Sequence, residues 1–150
     1  MRLRAANRPS SAFAALALGF LTMGSGVGAR AGGQDPAIGA AAKCDPVPGP
    51  GKIHCTVRVR SIGGKFSWGD VIVLSAPPFA PPLRTRVAAG DASRSDAEGA
   101  DFELALAATG DGSGELRVRA RAVVCGEAGC RPVTADVSAR VTVGAEGPSR

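Results

Sequence analysis

The chain has 150 residues, a formal net charge of +5, four cysteines, one tryptophan, five phenylalanines and no tyrosine. This length fits one domain whose core is built from Val, Leu, Ile and Ala. The scarcity of aromatic side chains leaves little for a base-stacking surface, which argues against nucleic acid as a partner.

Residues 1–31 have the three parts of a secretory signal peptide. Arg2, Arg4 and Arg8 form a basic start, residues 12–23 are uncharged and apolar, and Ala29-Arg30-Ala31 is an A-x-A cleavage site. The apolar run is too short to span a bilayer. We therefore expect a soluble mature protein, periplasmic or secreted, that does not insert into a membrane.

Cleavage changes the charge of the protein. The leader contains four of the 18 basic residues and none of the 13 acidic ones, which leaves 14 against 13 in the mature chain. The basic character of the precursor therefore gives no further reason to propose a nucleic-acid partner.

Along the mature chain, residues 32–43 are rich in Gly and Ala and predict a flexible lead-in. The folded domain is expected at residues 44–144, followed by a tail at 145–150. Alternation of apolar and polar residues, or a continuous apolar run, predicts strands at 52–60, 70–75, 83–87, 101–106, 115–125 and 133–143. Short strands separated by turns, with no convincing helix after the leader, predict an all-β, antiparallel β-sandwich of about six to eight strands.

The four cysteines allow three pairings, and strand phase and loop length bear on two of them. A bond between Cys55 and Cys125 with Trp68 between them resembles the Cys…Trp…Cys spacing of immunoglobulin domains. Loop closure favours it, at about 4 kcal/mol against about 2 for a short hairpin loop. Strand phase opposes it, because Cys55 points inward with Val57 whereas Cys125 is in register with an outward row of arginines.

The second pairing joins Cys125 to Cys130 and leaves Cys44 with Cys55 as a structural bridge. Residues 126–129 predict a four-residue hairpin loop, and Cys125 and Cys130 both fall on the polar face of the two strands that it joins. An exposed disulfide across a short loop is open to thiolate attack and suits a redox-active pair. Arg121 and Arg131 would favour a thiolate, whereas Glu127 would oppose it. A hairpin staple without redox activity is the alternative.

Four converging cysteines could also bind zinc, but the chain lacks C-x-x-C knuckles, and we expect no metal or cofactor.

Residues 118–143, VRARAVVCGEAGCRPVTADVSARVTV, resemble the end of the amino-terminal domain of DsbD-type thiol:disulfide interchange proteins. Cys125, Cys130 and Pro132 match the hairpin of that family, in which a proline begins the strand after the second cysteine. The resemblance implies an immunoglobulin-like fold and assigns Cys125 and Cys130 as the redox-active, catalytic pair, with periplasmic thiol or disulfide proteins as partners. The chain lacks the family's membrane-embedded and thioredoxin-like portions, and it has no tyrosine beside the cysteines.

Other residues have simpler explanations. His54, the only histidine, lies on the polar face of a strand without a serine or acid motif nearby, so a solvated side chain is expected. The acids of residues 91–101 do not have calcium-loop spacing. The row of Arg117, Arg119 and Arg121 could meet an acidic partner, although such a row is more often a solvated sheet face. Phe66, Trp68 and Phe79 could shield the cysteines, and core packing is the expectation for Trp68.

The sequence therefore predicts an exported thiol:disulfide interchange module that passes electrons to or from partner proteins through Cys125 and Cys130. The alternative is a non-catalytic immunoglobulin-like binding or structural domain in which both disulfides are staples.

Overall fold

The structure is a computed structural model that describes residues 35–144. The predicted signal peptide, the first residues of the lead-in and the tail after residue 144 lie outside the described residues. Within them there are eight β-strands and one short 3-10 helix at Ala89–Asp91. The strands are β1 (Ala37–Cys44), β2 (Gly51–Ile62), β3 (Lys65–Ser75), β4 (Arg86–Val87), β5 (Arg94–Asp96), β6 (Gly99–Ala108), β7 (Gly112–Gly126) and β8 (Gly129–Val143).

The strands form two antiparallel four-stranded sheets. The first sheet has the order β1-β2-β6-β5 and the second has the order β4-β3-β7-β8. Lettered in chain order, these are the ABED and C′CFG sheets of an immunoglobulin-like sandwich. The predicted all-β, immunoglobulin-like fold is thus confirmed. No helix within residues 35–144 is long and apolar enough to cross a membrane.

The core lies between the two sheets and follows the alternation of the strands. The inward side chains of β2, β6 and β7 are almost completely buried, and they include Val57, Phe102, Leu104 and Val118. The alternation that predicts the strand at residues 115–125 is confirmed, because every second side chain of β7 from Leu116 to Val124 is buried. Because successive side chains in a strand point to opposite faces, the intervening polar residues form the outer faces of the sandwich.

Strand β1 corrects one prediction. Residues 32–43 were expected to be a flexible lead-in, but residues 37–43 belong to β1. The whole of β1 pairs with β2, from Ala37 opposite Ile62 to Cys44 opposite Cys55. Ile38, Ala40 and Ala42 pack against the core from this edge strand. Alanine and glycine give little hydrophobic contrast between the two faces, so the alternation is real but weak in the sequence.

Strand boundaries differ from prediction in several places. The strand predicted at residues 83–87 is reduced to Arg86–Val87, and the segment between the strands predicted at 83–87 and 101–106 contains β5. At the last hairpin, β7 and β8 stay paired as far as Gly126 and Gly129, so the loop has two residues between strands rather than four. Gly129 has a φ of 110°, a left-handed conformation that glycine adopts without strain.

A β-bulge decides where Trp68 points. The pairing of β3 with β7 shifts between Phe66 and Trp68, so that Phe66 faces inward and Trp68 faces outward. The Phe66 ring lies over Gly69, where an added Cβ would be 2.6 Å from Cζ. Trp68 is consequently 39% exposed, and the prediction that it packs in the core is wrong.

Candidate functional site

The hairpin disulfide lies at the end of the outer face of the second sheet. Cys125 and Cys130 are bonded and directly opposite each other in the β7–β8 pairing, with their Cα atoms 3.9 Å apart. Cys125 is half-buried and Cys130 is exposed. Both belong to the outer face, because Val124 beside them is buried in the core. Reagents in solution can therefore reach this bond through Cys130.

The second disulfide also joins two directly paired strands, but it lies on the inner face of the first sheet. Cys44 and Cys55 are also directly opposite, in the β1–β2 pairing, with Cα atoms 3.9 Å apart. Both side chains are buried in the core, and none of the cysteines is free. The alternative Cys55–Cys125 bridge is absent, because Cys55 faces into the sandwich and Cys125 faces out of it. The structure thus contains one buried and one accessible disulfide.

An apolar row lies next to the accessible disulfide on the same face. Trp68 of β3 pairs with Val123 of β7, and Val123 pairs with Pro132 of β8. We call these three residues the tryptophan row. Trp68 and Pro132 are exposed, and Val123 is half-buried. Because side chains two residues apart along a strand share a face, this row adjoins the disulfide and Lys65, which is opposite Cys125.

A buried carboxylate lies on the other side of the tryptophan row. Asp70 accepts a hydrogen bond of 2.8 Å from Arg121 Nε and one of 2.7 Å from Arg86 Nε, and Arg121 Nη2 is a third donor. The hydrogen bonds from Arg121 lower the pKa of the Asp70 carboxyl against the opposing effect of burial. Asp70 is therefore charged and joins β3 to β4 and β7.

Sequence reasoning missed Asp70 because this residue begins the apolar run that predicts the strand at residues 70–75. A single acid at the start of such a run, with arginines available on other strands, is the signal that could have identified it. A carboxylate that is buried in a sheet needs charged or hydrogen-bonding partners. Arg121 and Arg86 supply them.

The arginines of β7 continue along the outer face at alternate positions. We call Arg117, Arg119 and Arg121 the arginine ladder. Arg119 donates to both carboxylate oxygens of Asp136 on β8, at 2.7 and 2.8 Å. This hydrogen bonding raises the pKa of Arg119 and lowers that of Asp136. Arg117 lies opposite Ser75 and Ser138 and makes no ion pair with another described residue.

The remaining candidates from the sequence lie away from this face. His54 is exposed on β2 and lines a shallow depression of about 350 Å³ together with Lys52, Leu83, Arg84 and Glu103. In residues 91–101, three acids each face an arginine rather than one another; the pairs are Asp91–Arg84, Asp96–Arg94 and Asp101–Arg60. Phe79 packs over Gly112 and Gly114, and Phe66 is in the core. Of the three aromatic residues considered near the cysteines, Trp68 is the one that shares their face.

No family model and no curated protein matches the sequence. Among solved structures, the chain is similar to AggA, the major subunit of aggregative adherence fimbriae type I from Escherichia coli. The two share 9% identity, the similarity covers 73% of this chain and 96% of that chain, and the TM-score is 0.39. We draw no functional conclusion from similarity at this level. The two disulfides themselves indicate an exported protein, since such bonds persist in oxidising compartments.

Proposed function

We propose that this chain is an exported, non-catalytic immunoglobulin-like domain that binds a protein partner through the outer face of the β3–β7–β8 sheet. In this proposal both disulfides are staples: Cys44–Cys55 fixes the edge of one sheet and Cys125–Cys130 fixes the end of the last hairpin. In this proposal the predicted signal peptide directs export, and its cleavage releases the mature domain into the periplasm or outside the cell.

The observation that carries the proposal is the exposed tryptophan row. The single tryptophan of the chain faces outward from β3, next to a bulge, beside a half-buried valine and an exposed proline. Tryptophan contributes strongly to binding energy where it becomes buried against a partner. The disulfide at one end and the Asp70–Arg121 pair at the other hold the backbone on both sides of this row. A rigid apolar row on a polar sheet face is suited to recognition without chemistry.

Site-specific photo-crosslinking in the exporting cell tests this proposal. A photoreactive phenylalanine analogue at position 68 should give crosslinked species that the same analogue at Arg58, on the outer face of the other sheet, does not give. The crosslinks should persist when Cys125 and Cys130 are both replaced by serine and the domain remains folded. Equal crosslinking at both positions, or none at position 68, contradicts the proposal.

A second candidate function is thiol:disulfide exchange at Cys125–Cys130, which the exposure of Cys130 favours and which the DsbD-type resemblance suggests. A partner thiolate would attack Cys130 Sγ, forming a mixed disulfide while the Cys125–Cys130 bond breaks and Cys125 leaves as a thiolate beside Lys65. A second thiolate of the partner would then release Cys130. The partner would lose two electrons and become a disulfide, and the hairpin pair, after taking up two protons, would be the reduced dithiol.

Single-cysteine variants separate the two functions. In the Cys125→Ser variant the exposed Cys130 remains as a lone thiol. In the reverse direction of the same exchange its thiolate would attack the disulfide of an oxidised partner and release one partner thiolate, and the mixed disulfide would accumulate because Cys125 is no longer there to resolve it. The matched Cys130→Ser variant leaves only the half-buried Cys125. The proposed binding function predicts no specific mixed disulfide in either variant. A set of partners trapped by Cys130 alone favours the redox function instead.

A further inference from the structure

We infer that the partner presents an extended acidic segment with an apolar side chain at one end, which lies along β7 with its carboxylates on the arginine ladder and its apolar side chain on the tryptophan row. This inference rests on the proposed binding function, and it names the chemistry of the partner. It follows from the charge, the spacing and the order of residues on a single strand.

The outer face of the second sheet is basic. Six basic and three acidic side chains point outward from its strands, as the pairing of the strands places them. The basic residues are Lys65, Arg86, Arg117, Arg119, Arg121 and Arg140, and the acidic ones are Asp70, Glu115 and Asp136. The excess is concentrated on β7, where the arginine ladder occupies the middle of the sheet. An acidic ligand is complementary to this field.

Arg119 and Arg121 of the arginine ladder are held in place by ion pairs within the domain. Asp136 engages Nε and Nη2 of Arg119, and Asp70 engages Nε and Nη2 of Arg121. In each case Nη1 makes no hydrogen bond to another described residue, so it is available to donate to a carboxylate of the partner. Fixing the guanidinium groups in advance reduces the entropy that binding would cost. The preorganised donors therefore suit carboxylates at fixed positions.

The spacing on β7 defines the pattern of the ligand. Val123, Arg121, Arg119 and Arg117 share one face at intervals of two residues, which is about 6.8 Å in a strand. An extended peptide has the same repeat. It can place one apolar side chain on Val123 and Trp68, followed by carboxylates at alternate positions over the three arginines. Among the described residues of this face Trp68 is the one aromatic side chain, so successive bases of a nucleic acid would have no row of rings to stack on. Val123 and Pro132 beside it offer contact to an aliphatic side chain, which favours a polypeptide.

The sole tryptophan gives a direct readout. Fluorescence of Trp68 in the mature protein can be titrated with the capped synthetic peptide Leu-Thr-Glu-Thr-Glu-Thr-Glu. We expect a saturable change that weakens as salt is raised from about 0.02 to about 0.3 M, because surface ion pairs are screened. The Arg117→Glu variant should bind about fivefold more weakly. The matched Arg58→Glu variant changes the same charge on the opposite face and should bind as the parent does.

Two control peptides and one polyanion complete the test. Replacing the three Glu of the peptide by Gln, or its Leu by Ser, should each weaken binding. Equal affinity of the Gln peptide overturns the acidic partner while leaving the tryptophan row as a binding surface. A response to heparin but not to the peptides overturns it in favour of a glycan. No response to any ligand also overturns the inference, whereas the crosslinks at position 68 separately decide the proposed function.

Discussion

Asp70 of β3 and Arg121 of β7 lie directly opposite each other, and the carboxylate between the strands is fully buried although it belongs to the outer face of the sheet. Arg86 of β4 covers it from the other side, with Nε donating at 2.7 Å. One carboxylate therefore connects three adjacent strands. It lies two residues from Trp68, so the same contacts fix the backbone beside the tryptophan row.

Asp70→Asn should destabilise the domain by about 2–3 kcal/mol, because a buried carboxylate loses charge-assisted hydrogen bonds. The loss stays below that of a fully buried ion pair, since Arg86 and Arg121 are partly exposed and can regain water. Urea unfolding followed by Trp68 fluorescence measures it. Asp136→Asn is the matched control at an exposed pair and should cost less than about 1 kcal/mol. Equal losses in the two variants would contradict this account of Asp70.

The stability of the domain should fall in acid, and Asp70 should contribute to that fall. The pKa of Asp70 is lowered in the folded state, mainly by hydrogen bonds from Arg121. Its contribution to the free energy of unfolding is therefore complete above the unfolded pKa of about 4 and is lost as the pH falls through the folded value. Unfolding free energies measured between pH 7 and pH 2.5 should decrease more steeply in the parent than in Asp70→Asn. Parallel curves would contradict this prediction.

Gly99→Ala should be strongly destabilising. An added Cβ at Gly99 would lie 2.0 Å from the carbonyl oxygen of Val59 in the paired strand β2, and the residue has a φ of 157°. Because the obstacle is backbone, the sheet itself must move, at a cost of about 2 kcal/mol or more. At Gly110 nothing lies within 4 Å of an added Cβ, so Gly110→Ala should change stability by less than about 0.5 kcal/mol. The melting temperatures of the two variants test this contrast.

The two disulfides should differ in reactivity under native conditions. Cys130 is exposed, whereas Cys44 and Cys55 are buried, so a small thiol reductant should open Cys125–Cys130 first. Brief reduction, alkylation and peptide mass mapping would detect labelled Cys125 and Cys130 while Cys44 and Cys55 remain bonded. In denaturant both bonds should react, which serves as the control. Simultaneous labelling of all four cysteines in the native protein would show that the burial of Cys44–Cys55 does not protect it.

Much of the fold was predictable because apolar and polar residues alternate strongly along the central strands. In β7, arginines alternate along the strand with Leu116 and Val118, and this alternation predicted both the strand and its outward face. The same alternation placed Cys125 outward, as the structure has it. Strand β1 was missed because alanine and glycine on its two faces differ little in hydrophobicity.

The site was less predictable, because it depends on local irregularity and on contacts between distant residues. A single bulge after Phe66 turns Trp68 from the core to the surface, and nothing in the local pattern of apolar residues specifies a bulge. Asp70 is 51 residues from Arg121, so their pairing requires the register of β3 against β7. Sequence periodicity fixes the faces of each strand but not the register between strands.

The reduction potential of the Cys125–Cys130 bond tests the central claim, that this disulfide is a staple in a binding domain, most directly. It can be measured in the mature protein with dithiothreitol redox buffers, alkylation and mass mapping. The β7–β8 pairing holds the two thiols opposite each other after reduction, which favours re-formation of the bond. We therefore predict a potential below about −300 mV, the range of structural disulfides in secreted proteins. A potential well above about −300 mV, together with mixed disulfides trapped on Cys130, would contradict the claim and assign the hairpin to thiol:disulfide exchange.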